Sequence, residues 1–96
     1  MKDSRAALRY AKAILDFAVD KKSTAAVERD MRSISSTIAD SNELQNLLAS
    51  PVIQAEVKKK ALTAIFTNVH AISQGMINLL IENKRISMLQ EVAFKF

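Results

Sequence analysis

Residues 23–40 read STAAVERDMRSISSTIAD and contain the clearest periodicity in the chain. Their apolar residues recur at intervals of three and four, which places them on one face of an α-helix. These residues are Val27, Met31, Ile34 and Ile38. Polar residues such as Arg29 point away from that face. The stretch therefore predicts an amphipathic helix that is capped by Ser23 or Thr24.

Helical periodicity continues on both sides of this stretch. Ser50-Pro51 interrupts it, because Pro cannot continue a helix and keeps the preceding residue out of the helical region. Residues 69–72 are interpreted as a linker. The other predicted helices are Ser4–Lys21 with Asp3 or Ser4 as its cap, Asn42–Leu48, Gln54–Asn68, Ser73–Asn83 and Ser87–Phe96. This pattern predicts an all-α fold, a single-domain bundle of about six short helices.

Two of the predicted helices begin with the spacing of a capping box, in which two side chains satisfy free backbone amides at a helix start. The pairs are Asn42 with Gln45 and Ser87 with Gln90. In the fourth helix, Val57, Ala61 and Ile65 form one apolar stripe, with Leu62 and Phe66 beside it.

Composition excludes several classes of protein. The chain has 96 residues, of which 49% are hydrophobic and 25% charged, with one Gly, one Pro, one His and no Cys. So little Gly argues against hairpin-rich folds and phosphate-cradling loops. Without Cys, a disulfide framework, a thiol nucleophile and a structural zinc site are ruled out. No apolar run is long enough for a membrane-spanning helix, and the start of the chain lacks the apolar core of a signal peptide.

The chain carries a net charge of +4. Much of the excess lies in Lys58-Lys59-Lys60, which we interpret as a solvated helix face rather than a phosphate-binding patch. Asn83-Lys84-Arg85 reads as a helix stop whose cations complement the helix dipole. His70 is expected to be a surface or partly buried residue of the linker. No catalytic, cofactor-binding or metal-binding set of residues emerges, so we expect a protein that is not an enzyme.

The first helix has more apolar surface than one core contact requires. One apolar stripe comprises Ala7, Leu8, Ala11, Ile14, Leu15 and Ala18. A second stripe, roughly 120° away at 100° per residue, comprises Ala6, Tyr10, Ala13 and Phe17. The fifth helix has a similar excess, spread over Met76, Ile77, Leu79, Leu80 and Ile81. Either the first helix is central and fully surrounded, or the two helices share a groove that accepts an amphipathic helix from a partner.

Three stretches resemble one protein family, in the order and with the spacing that the family shows. Residues 9–18, RYAKAILDFA, resemble the opening helix of the delta subunit of F-type ATP synthases, whose mitochondrial counterpart is the oligomycin sensitivity-conferring protein. Residues 48–53, LASPVI, and residues 76–86, MINLLIENKRI, resemble later parts of the same subunit. The chain departs from the family at Lys84, where Gly is frequent, and at Gly75, where Asn is frequent.

The resemblance implies a structural role in the stator of the ATP synthase. The chain would be the N-terminal helical domain, residues 1–96, of a subunit about twice as long whose C-terminal domain is absent. It would bind the N-terminal helix of an alpha subunit in a groove between helices 1 and 5. The missing domain would engage the b subunit of the peripheral stalk. The protein would lie at the cytoplasmic face of the bacterial inner membrane, peripheral to it, and the isolated domain would be a monomer without cofactors.

Residues for this groove are proposed from the helical wheel. They are Ala6, Tyr10, Ala13, Ile14 and Phe17 on the first helix, and Ile77, Leu80 and Ile81 on the fifth, with Gln74 and Lys84 at the rim. Ala13 would be the point of closest approach, and the Tyr10 hydroxyl would be free to reach a polar group of the partner. The alternative is a small basic nucleic-acid-binding domain that uses the lysine cluster with Lys84 and Arg85; the first hypothesis excludes a nucleic-acid partner.

Overall fold

The computed structural model describes residues 4–96, and these form an all-α bundle with no β-strand among them. The α-helices are α1 (Ser4–Asp20), α2 (Thr24–Ala39), α3 (Asn42–Ala49), α4 (Ala55–Ile65), α5 (Ala71–Glu82) and α6 (Leu89–Lys95), with a 3-10 turn at Ile86–Met88 before α6. The predicted fold class is therefore confirmed. The predicted cap of α1 lies outside the described part, since it concerns Asp3 and the Ser4 side chain.

The core forms around α2, which packs against α6, while α6 also packs against α1. The four apolar residues predicted from the α2 periodicity, Val27, Met31, Ile34 and Ile38, are all buried. Leu89 and Val92 of α6 are fully buried as well. Burial of these side chains is the main stabilising contribution, at about 1.5–3 kcal/mol for each large aliphatic group.

Two helices end on a lysine in the left-handed conformation. Lys22 after α1 has φ 56° and Lys84 after α5 has φ 59°. In each case the next amide donates back to the helix: Ser23 N–H to Ala18 O at 2.8 Å and Arg85 N–H to Leu80 O at 2.7 Å. These bonds define Schellman C-caps, which usually place Gly at the left-handed position. Position 84 therefore has a backbone conformation that favours Gly.

The predicted capping boxes are not formed. Ser41 is the N-cap of α3, and its hydroxyl accepts a hydrogen bond from Leu44 N–H at 3.1 Å. Gln45 instead donates to Ile38 O at 2.9 Å, which ties α3 to the end of α2. Ser87 lies inside the 3-10 turn, so α6 begins at Leu89 without a side-chain cap.

The predicted linker at residues 69–72 is wrong in its second half. Helix α4 ends earlier than predicted, at Ile65, and α5 begins earlier, at Ala71. His70 is the N-cap of α5, because its Nδ1 accepts a hydrogen bond from Ile72 N–H at 3.0 Å. The side chain of His70 therefore caps α5, whose predicted start was Ser73.

Candidate helix-docking groove

Helix α1 is not the fully surrounded helix of the bundle. Ala7, Ala11 and Ala18 are buried at its contact with the core, but Ala13 is exposed and Phe17 is 50% exposed. Leu8 of the first apolar stripe is 55% exposed, so that stripe is not buried along its whole length. Of the two arrangements that the sequence allowed, the structure has the one with an apolar face open to solvent.

A depression lies along this open face of α1, between it and α5. Its first part, which we call the tyrosine basin, has a volume of about 330 Å³. The tyrosine basin is lined by Ala6, Arg9, Tyr10, Ala13, Leu79 and Arg85. Ala13 presents only a methyl group here, so a partner's backbone can approach α1 closely at this position.

The second part, which we call the phenylalanine basin, has a volume of about 380 Å³. It is lined by Ile14, Phe17, Ala71, Ile72, Gly75, Met76 and Leu79. Leu79 is 39% exposed and borders both basins, and we refer to the two adjacent basins together as the α1–α5 groove. Every side chain of the phenylalanine basin is apolar or absent, which suits the apolar face of a docked helix.

Polar contacts hold the aromatic side chains of the groove. Asn83 Nδ2 donates a hydrogen bond to the Tyr10 hydroxyl at 2.8 Å, joining the end of α5 to α1. The hydroxyl is therefore engaged as an acceptor, which corrects the expectation that it is free, while its own proton is still available to a partner. Lys21 Nζ lies 5.6 Å from the centre of the Phe17 ring, within the range of a cation–π interaction.

The α5 wall of the groove is anchored to α2 by one carboxylate. Asp30 is 5% exposed, and its Oδ2 accepts hydrogen bonds from His70 N–H at 2.7 Å and from the Ser73 hydroxyl at 2.8 Å. Both donors lie at the start of α5, where a negative charge also interacts favourably with the helix dipole. Asp30 thereby fixes the position of Ala71 and Ile72, the first wall residues. No sequence pattern marks Asp30, since it lies next to the apolar stripe of α2 and its partners are about 40 positions away in the chain.

The five groove residues predicted on α1 lie along the groove, whereas none of the five predicted on and directly after α5 lines it. Ala6, Tyr10, Ala13, Ile14 and Phe17 all line the groove. On α5, Ile77 and Leu80 are buried in the core, and Gln74 bonds Asn78 at 3.3 Å. Ile81 and Lys84 line a different cavity.

This correction has a physical reason. Helix α5 contacts α1, α2, α4 and the 3-10 turn, so its large apolar residues are covered on most of its circumference. The side left open carries Ala71, Gly75 and Leu79, spaced four residues apart. Because Ala71 and Gly75 are small, they do not stand out as an apolar stripe, although their four-residue spacing is present in the sequence.

The interpretation of the lysine cluster as a solvated face is wrong for Lys58. Its side chain is 8% exposed, and its ammonium donates to Ser50 O at 2.7 Å and Leu48 O at 3.3 Å. The cation therefore satisfies carbonyls at the end of α3, which is a favourable place for positive charge. Lys59 and Lys60 are exposed. Lys58 also borders a third cavity of about 440 Å³, the one that Ile81 and Lys84 line.

Residues 4–96 contain no group of His, Asp and Glu that could hold a metal ion. None of the helices in this part of the chain has both the length and the apolar character needed to cross a bilayer.

Comparison with known proteins identifies the family. A family model described as "ATP synthase delta (OSCP) subunit" matches residues 6–96. Over its full length the chain is 50% identical to "ATP synthase subunit delta" of Christiangramia forsetii and 43% identical to the protein of the same name from Flavobacterium johnsoniae, covering 52% and 54% of those proteins. It is 35% identical to "ATP synthase subunit delta, chloroplastic" of Pyropia yezoensis over 91% of this chain and 47% of that protein. The chain thus spans about half the length of the curated relatives it matches.

Proposed function

Because the chain belongs to the ATP synthase delta (OSCP) subunit family, we propose that it is a non-catalytic part of the stator of an F-type ATP synthase. In this role it binds the N-terminal helix of an alpha subunit in the α1–α5 groove. The bound helix connects the catalytic head to the peripheral stalk, so that torque from the rotor drives catalysis instead of turning the head. The α1–α5 groove is the observation that carries this proposal.

Three features of the groove support a helical occupant. It runs along α1 from Ala6 to Phe17, a distance of about 16 Å at 1.5 Å per residue, which matches about three turns of a docked helix. Its exposed apolar residues include a half-exposed aromatic ring, Phe17, and such rings commonly anchor interfaces. Its narrowest wall residues, Ala13 and Gly75, allow close approach of a second backbone.

The remaining partners follow from the same assignment. The relatives are longer than this chain, and their additional part would contact the b subunit of the peripheral stalk. The protein would be peripheral to the membrane through its complex, at the cytoplasmic face of the bacterial inner membrane. We expect the isolated domain to be a monomer whose groove is available to the alpha subunit.

The test is calorimetric titration of this chain with a peptide of about 25 residues, long enough for several helical turns, from the N-terminus of the alpha subunit of the same organism. Saturable binding of one peptide, with chemical-shift changes at Ala13, Phe17 and Leu79, is the expected result. A folded chain that does not bind the peptide, or that binds it with shift changes confined to other surfaces, would contradict the proposal.

A nucleic-acid-binding role has no comparable support. Lys58, the first residue of its proposed basic cluster, is turned into the protein and bonded to backbone carbonyls. Lys59 and Lys60 alone make a small cationic patch, and no exposed aromatic residue of α4 accompanies them for base stacking.

A further inference from the structure

The two ends of the α1–α5 groove differ in charge. Arg9 and Arg85 line the tyrosine basin, whereas no charged residue lines the phenylalanine basin. We propose that the tyrosine basin is a carboxylate site, which receives an Asp or Glu side chain of the docked helix. This inference rests on the proposed function and specifies which chemistry the groove selects in its partner.

Both guanidinium groups are available to such a carboxylate. Arg9 and Arg85 are exposed, and neither has a carboxylate partner within residues 4–96, where the only ion pair joins Arg32 to Glu28. The only polar contact of the Arg85 side chain with residues 4–96 is a weak one, from Nη1 to Met88 Sδ at 3.9 Å. A guanidinium presents paired N–H donors that match the two oxygens of a carboxylate.

Tyr10 adds a third donor to the same basin. Its hydroxyl oxygen accepts a hydrogen bond from Asn83, so the hydroxyl proton has to point elsewhere. Because the Tyr10 side chain lines the tyrosine basin with both arginines, this proton can be donated to a carboxylate placed there. Two cations and one hydroxyl donor, with no acidic residue in the lining, favour an anionic group over a neutral one.

The distance between the two basins predicts how far apart, along the docked helix, its acidic residue and its apolar anchor residue lie. The α1 residues of the two basins are centred about six positions apart, which is about 9 Å along a helix axis. On an occupant that lies along α1, two side chains on the same face at this separation are about two turns apart, at i and i+7. The acidic residue in the tyrosine basin is therefore followed or preceded, two turns away, by an apolar residue that fills the phenylalanine basin.

The experiment compares Arg9→Ala and Arg85→Ala with the control Lys12→Ala. Lys12 is an exposed cation of α1 that does not line the groove, so its loss changes the net charge equally. Titration with the alpha-subunit peptide is expected to show an affinity about tenfold lower for each arginine variant, because each loses about one hydrogen bond to a charged group. For Lys12→Ala the affinity should change by less than about twofold. Thermal melts establish that each variant is folded.

A second peptide series identifies the group that is bound. Each acidic residue of the peptide is changed to Gln in turn. One of these changes is expected to lower the affinity for the wild-type chain, but to lower the affinity for the Arg85→Ala variant little further. If all three alanine variants bind the peptide as the wild type does, or if no Gln peptide binds more weakly, the carboxylate site is overturned and the proposed function still stands. Failure of the wild-type chain to bind any peptide overturns both.

Discussion

The carboxylate of Asp30 on α2 lies 2.8 Å from the hydroxyl of Ser73 on α5, although the two residues are 43 positions apart in the chain. The same oxygen accepts the backbone N–H of His70. One buried side chain therefore sets the position of α5 relative to α2. Since α5 forms one wall of the α1–α5 groove, the shape of this exposed surface depends on a contact in the interior.

Asp30→Ala is expected to lower the free energy of unfolding by about 2–4 kcal/mol, because it leaves two donors at the start of α5 without their acceptor. Urea denaturation measures the loss. Asp16→Ala serves as the control, since Asp16 is exposed on α1 and its side chain makes no hydrogen bond within residues 4–96; a change within about 0.5 kcal/mol is expected there. Equal losses in the two variants would show that the Asp30 contacts contribute nothing specific.

Lys84→Gly is expected to stabilise the chain by about 1 kcal/mol, because Gly adopts the left-handed conformation that Lys84 holds at φ 59° without steric cost. Lys59→Gly is the matched control: Lys59 is also exposed but lies inside α4, where Gly costs about 1 kcal/mol. Thermal melts should therefore move in opposite directions for the two variants. A lower melting temperature for Lys84→Gly would contradict the assignment of the C-cap.

Substitutions at Gly75 test the stability of α5 and the binding of the alpha-subunit peptide separately. A Cβ added at Gly75 meets no atom within 4 Å, so Gly75→Ala should stabilise α5 by about 0.5–1 kcal/mol. Gly75→Leu should also fold, but its side chain would occupy the phenylalanine basin and abolish binding of the alpha-subunit peptide. Melts and titrations of both variants check these outcomes. Normal peptide binding by Gly75→Leu would place the docked helix elsewhere.

Lys58→Ala is expected to cost about 1–3 kcal/mol in unfolding free energy, because the carbonyls of Leu48 and Ser50 lose their donor. Lys59→Ala, at the adjacent exposed position, should change stability by less than about 0.5 kcal/mol. Denaturation curves for the two variants are compared directly. If the two lysines were equivalent, as they would be on a solvated cationic face, the losses would match.

Features that depend on the periodicity of one helix were predictable from the sequence. The buried face of α2 follows from residue spacing alone, and the second apolar stripe that spacing predicts on α1 includes two exposed residues, Ala13 and Phe17. The same reasoning failed on α5, because the neighbours of a helix decide which of its apolar residues remain exposed. Ile77 and Leu80 are therefore core residues, and the exposed α5 residues of the groove are Ala71, Gly75 and Leu79 instead.

Contacts between distant parts of the chain were not predictable. The buried positions are Lys58 and Leu62 of α4 and Phe66 directly after it, whereas Val57 and Ile65 of the predicted stripe are about half exposed. Hydropathy places Val57 inside and Lys58 outside. The opposite arrangement results from the free carbonyls at the end of α3, which attract an ammonium group, and no pattern within α4 reveals them.

The most direct test of the central claim is titration of the Ala13→Asp variant with the alpha-subunit peptide. Ala13 is exposed, so the variant should keep the wild-type unfolding free energy to within about 0.5 kcal/mol. An Asp at position 13 would lie in the tyrosine basin, where it would compete with the carboxylate of the docked helix for Arg9 and Arg85 and would put a charge against the apolar residues of that helix. Binding should therefore weaken by at least about 2 kcal/mol. The control Ala25→Asp, at an exposed position of α2 outside the groove, should bind as the wild type does. Wild-type affinity in folded Ala13→Asp would contradict the claim that the α1–α5 groove is the docking site.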